Sequence, residues 1–162
     1  MAWMAVWQFT FKPIPRPAPG ASPEDLWASF GWEKQPVPES LLSRLRSLLP
    51  LKETYGTGSD TTLVYGEQSQ NDIHVDYEDG RVVELRIRLD LRNPDVALLQ
   101  AIVEATAAVD AVFVSSDERV FEAEWNAVVT ELLASRAAQF VEDPMGYLRR
   151  VADSASRHGS SN

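Results

Sequence analysis

The chain has no cysteine, and that one absence removes a disulfide framework, thiolate zinc sites, iron–sulfur clusters and a cysteine nucleophile together. Histidine is nearly as scarce. Only His74 and His158 occur, so a serine–histidine–acid triad would depend on His74 alone, and no serine stands in a G-x-S-x-G setting. Charges interrupt every apolar stretch, which leaves nothing like the roughly 20 apolar residues that a membrane-spanning helix requires. Residues 1–11 carry no basic leader and no small-residue cleavage site, so a cytoplasmic location is the expectation. Positive charge is in deficit: 15 Lys and Arg against 24 Asp and Glu give −9 at pH 7. A field of that sign repels phosphate backbones, so nucleic acid is not expected as a partner, and without a spanning segment neither is a membrane.

What is present fits one domain. The 162 residues show no internal repeat and no shift of composition, which places a single α+β domain over residues 1–153 and a disordered tail over 154–162. Trp3, Ala5, Trp7, Phe9 and Phe11 alternate with Gln8, Thr10 and Lys12, the period of a strand. A proline-rich connector over 12–22 follows and favours an extended chain; a docking peptide for an aromatic groove is its other reading. Ser22-Pro23-Glu24-Asp25 starts a short helix to about Phe30, and Leu41, Leu42, Leu45, Leu48 and Leu49 define a second over 39–49. Residues 55–60, with two glycines, begin like a phosphate-cradling loop. They lack the strand before, the helix after and the lysine, and so read as a flexible connection.

The middle of the chain turns to period two. Stretches 61–65, 72–77 and 81–92 predict three strands of an antiparallel meander. A helix over 95–109, short strands at 111–115 and about Val120-Phe121, one long helix over 124–140 and a last helix from Asp143-Pro144 complete the pattern. The expected architecture is a two-layer sandwich, an antiparallel meander sheet with helices packed on one face.

One constellation carries chemical content. Ile73, Val75 and Tyr77 alternate with Asp72, His74 and Asp76, while Val83 to Leu91 alternate with Glu84, Arg86, Arg88, Asp90 and Arg92. For both apolar sets to share a face, paired residue numbers must sum to an even value. A three-residue loop at Glu78-Asp79-Gly80 achieves this by pairing Tyr77 with Arg81 and Ile73 with Leu85, which sets His74 opposite Glu84 and Asp72 opposite Arg86. The ionic face is then expected to lie open.

Three readings of that face compete. It is a solvated surface that keeps the sheet soluble, or a protein-binding face whose arginine forks receive carboxylates. Alternatively it centres a small metal-dependent or histidine-based hydrolase on Asp72, His74 and Asp76. Arg86 and Arg88 would repel a cation there, so no metal, cofactor or catalytic residue is assigned. Trp27, Phe30 and Trp32 form a secondary aromatic surface. The leading functional expectation is a non-enzymatic, acidic protein-binding domain, of the inhibitor, immunity-type or adaptor kind, that uses the charged sheet face. Self-association is the other form a partner could take.

Overall fold

The computed structural model describes residues 5–158. Seven strands form one open antiparallel sheet: β1 (Gln8–Ile14), β2 (Leu51–Thr57), β3 (Asp60–Gly66), β4 (Asp72–Glu78), β5 (Arg81–Asp90), β6 (Val112–Ser115) and β7 (Val120–Glu122). Their order across the sheet is β2-β3-β4-β5-β1-β6-β7, so four strands run as a meander and β1 inserts between β5 and β6. The helices are α1 (Pro23–Ala28), α2 (Glu39–Leu48), α3 (Val96–Ala107), α4 (Trp125–Leu133), α5 (Arg136–Glu142) and α6 (Pro144–His158). The α+β class with an antiparallel meander is therefore the observed one.

The core lies on the face that alternation assigns to it. Phe9, Phe11, Ile73, Val75, Leu85, Ile87 and Phe113 pack beneath Leu41 and Leu45 of α2, Leu98 and Ile102 of α3 and Val128 of α4. Phe11 meets Phe113 edge to face at 5.1 Å and Phe113 lies 5.5 Å from Phe121. Each buried side chain of this size stabilises the fold by about 1.5–3 kcal/mol relative to exposure.

Several elements differ from the sequence pattern. The strand expected over Trp3–Phe11 begins at Gln8 and runs on through Pro13 to Ile14; Trp3 lies outside the described residues. Pro13 is tolerated inside the sheet because β1 pairs with β5 only as far as Phe11, and its carbonyl accepts instead from the Trp32 indole at 2.9 Å. Residues 55–60 are not a loose connection: they belong to the β2–β3 hairpin, closed by Thr57 opposite Asp60 around a left-handed Gly58. The expected long helix over 124–140 is two helices, because the Ser135 side chain accepts from the Ala138 amide and caps α5. Residues 154–158, expected in the tail, continue α6.

The β4–β5 hairpin keeps the predicted parity and changes the register by two. Its turn has two residues, Asp79 and Gly80, both at positive φ as the mirror-image hairpin turns demand. Glu78 pairs with Arg81 and Tyr77 with Val82, an odd sum. Val83 is then left over as a bulge, and beyond it Asp76 pairs with Glu84, Val75 with Leu85 and Ile73 with Ile87, an even sum. The extra residue returns the apolar set to one face. The bulge also frees the Val83 carbonyl, which accepts from the Trp32 amide at 3.0 Å.

Candidate functional site

The second face of the sheet holds the predicted ionic residues, but it is not the open surface the sequence suggested. Asp72, His74, Glu84, Arg88 and Asp90 are all buried, as are Gln8, Thr10 and Lys12 of β1. Two segments cover them. At one end the β3–β4 connection folds over: Gln8 Nε2 donates to the Gln68 and Gln70 carbonyls at 3.0 and 2.6 Å, and Asp90 N donates to Asn71 Oδ1 at 2.8 Å. At the other end α1 packs on this face, where Leu26 and Trp27 meet Ile14, Val112 and Val114.

Beneath the first cover lies an ion cluster. The observed register sets Asp72 opposite Arg88 and His74 opposite Arg86, in place of the expected Asp72–Arg86 and His74–Glu84 neighbours. Arg88 Nε donates to Asp72 Oδ1 at 2.8 Å, Nη2 bonds Asp72 Oδ2, and the same Nη2 reaches Gln68 Oε1 at 3.4 Å. His74 Nε2 stands 3.1 Å from Asp72 Oδ2 and 3.0 Å from Arg88 Nη2, so it accepts from the guanidinium or donates to the carboxylate, one at a time. A bidentate Arg–carboxylate pair of this kind fixes strand register. With Asp72 and His74 at 0% and 3% exposure, neither presents an atom to a substrate.

Beneath the second cover lies a buried Lys–Glu pair. Lys12 Nζ donates to the Trp27 and Ser29 carbonyls at 2.8 and 3.1 Å, approaches Glu84 Oε1 at 3.3 Å and sits 4.4 Å from the Trp27 ring centre. It ties the end of α1 to the sheet. Burial lowers the Lys12 ammonium below the ordinary lysine range, with Glu84 opposing that shift. Burial likewise raises the Glu84 carboxyl, opposed by Lys12. At the far edge Arg92 is half exposed, held by both Asp90 oxygens and lying 4.1 Å from the Trp7 ring centre. The hydrogen bond from Arg92 holds the Asp90 carboxyl below its ordinary range.

Between these covers two charged side chains of the predicted set reach solvent. Asp76 and Arg86 are half-buried, and among the described residues neither makes a side-chain hydrogen bond. The Arg86 guanidinium has one carboxylate contact there, Glu84 Oε1 at 4.0 Å from Nε. Asp76 Oδ1 and Arg86 Nε are themselves buried without a partner, as is Thr10 Oγ1 on the same face. Exposed Tyr55 and half-buried Thr62, which pair across β2–β3, extend this window, since Thr62 pairs with Asp76. Tyr55 lies on the strand that sequence reasoning missed altogether.

The aromatic surface resolves differently for each residue. Trp32 is buried, Trp27 is half-buried against Lys12, and Phe30 alone is exposed. Among the described residues no group of three His, Asp or Glu side chains converges as a metal ion would require, and no helix is long and apolar enough to cross a membrane. In comparisons with family models, curated proteins and solved structures, nothing matches this chain.

Proposed function

We propose that the chain is a protein-binding domain that docks its partner on the open window of the polar sheet face, with Arg86 as the anchor. The observation that supports this reading is the contrast among the cations of that face. Arg88, Lys12 and Arg92 each hold a carboxylate through short contacts, whereas Arg86 has donors to spare and a path to solvent. A planar guanidinium fork that reaches solvent is the kind of chemistry enriched at binding hot spots. The burial of Asp72 and His74 gives no support to a hydrolytic centre.

The test is quantitative capture from the source cells with wild type and Arg86→Ala side by side, the partner then purified and its affinity measured. Loss of the anchor should weaken binding by at least about tenfold, roughly 1.4 kcal/mol. Arg44→Ala, an exposed position of α2 on the core side of the sheet and away from the polar face, should bind as wild type does. Equal affinity for Arg86→Ala and wild type would reject the reading.

A further inference from the structure

Asp76 and Arg86 are diagonal neighbours: Asp76 pairs with Glu84 across the β4–β5 ladder, and Arg86 stands two residues further along. Diagonal cross-strand neighbours lie about 7–8 Å apart. These two carry opposite charge, yet no ion pair within 4.0 Å joins them; Asp76 Oδ1 and Arg86 Nε are closed to solvent, so what faces a partner is the second carboxylate oxygen and the terminal guanidinium nitrogens. The charges around them are matched internally, Arg88 by Asp72 and Lys12 by Glu84. The window therefore offers one acceptor and one donor fork, side by side, with capacity unspent.

Resting on the docking reading above, we infer that the partner presents an acidic and a basic side chain two residues apart on one extended segment, the acid received by Arg86 and the base by Asp76. Spacing supports this pairing. Residues i and i+2 of an extended chain share a face and lie about 6.6–6.8 Å apart, close to the Asp76–Arg86 diagonal. Charge supports it as well. A lone carboxylate would be repelled by Asp76, by Glu84 and by the −9 field of the whole chain, and a lone cation by Arg86 and Lys12. A dipolar pair meets neither penalty, and it gives the solvent-facing ends of both side chains a counter-charge.

The probes are three tripeptides, N-acetylated and C-amidated: Glu-Gly-Lys, Glu-Gly-Gln and Gln-Gly-Lys. They are titrated into isotope-labelled protein while the arginine side-chain resonances are followed by NMR. Glu-Gly-Lys should shift Arg86 with a Kd lower than either control by about tenfold, and Asp76→Asn should erase that advantage while Arg88 stays unmoved. Equal response to the three peptides, or none at millimolar concentration, overturns the inference. The two proposals fail separately. A captured partner that needs Arg86 but binds Asp76→Asn unchanged rejects the dipolar pair and leaves the docking site standing, whereas a partner indifferent to Arg86 removes both.

Discussion

Arg88 grips Asp72 bidentately across the β4–β5 pair, with Nε 2.8 Å from Oδ1, and both side chains are sealed from solvent. Arg86, two residues earlier on the same strand face, is left without such a grip. Removing either member of the buried pair strands the other charge, which costs about 3–5 kcal/mol. Arg88→Ala and Asp72→Ala should each lose stability of that order in urea unfolding, while Arg86→Ala should stay within about 1 kcal/mol of wild type. A large loss for Arg86→Ala would show that this residue, too, is structural.

Lys12 and Glu84 form the second buried pair, and Lys12 additionally holds two carbonyls at the end of α1. Lys12→Met alone should cost about 3 kcal/mol, because it leaves the buried Glu84 carboxyl with only the Arg86 guanidinium, 4.0 Å away, in place of its closer partner. Adding Glu84→Leu should recover at least about 1 kcal/mol, since two apolar side chains no longer need each other's charge. A double-mutant cycle in urea measures the coupling. Simple additivity would mean that the pair does not interact.

The pH dependence of stability has a definite sign at Glu84. Burial raises its folded pKa above the unfolded value of about 4.3, so its contribution is complete below that value and is lost as pH rises through the folded pKa. The stability of wild type minus that of Glu84→Gln should therefore fall as pH is raised from 4 towards 7. A difference that grows with pH would place the Glu84 pKa below its unfolded value.

Gly66 ends β3 at φ +88°, and a Cβ there would stand 2.3 Å from the Asn71 carbonyl oxygen and 2.8 Å from Leu49 Cδ1. Gly66→Ala should cost about 2 kcal/mol or more, combining left-handed strain with a backbone clash. Because the segment that follows covers Gln8 and Arg88, the variant should also speed amide exchange over 67–71. Unchanged exchange there would separate the turn from the cover.

Alternation alone revealed which residues face the core and which form the polar layer, because side-chain period does not depend on the register of pairing. Register depends on a bulge, and nothing local distinguishes Val83 as the extra residue. Likewise, Ser135 caps α5 only because the chain turns there; inside an amphipathic run it reads as an ordinary helix position. Strand β2 escaped notice because it is an exposed edge, with no buried side to impose alternation. The larger misreading, an open ionic face, has a long-range cause. Gln8 meets carbonyls 60 and 62 positions away, a contact that no periodicity within a segment encodes. Arg86 and Arg88 look identical in sequence, and that cover is what separates them.

The docking account is tested most directly by phenylglyoxal footprinting of arginine on the free protein and on its complex with the captured partner, read by peptide mass spectrometry. Arg86 should react in the free protein and be protected in the complex, Arg88 should resist in both, and Arg44 on α2 should react in both. Equal labelling of Arg86 with and without the partner would contradict the account.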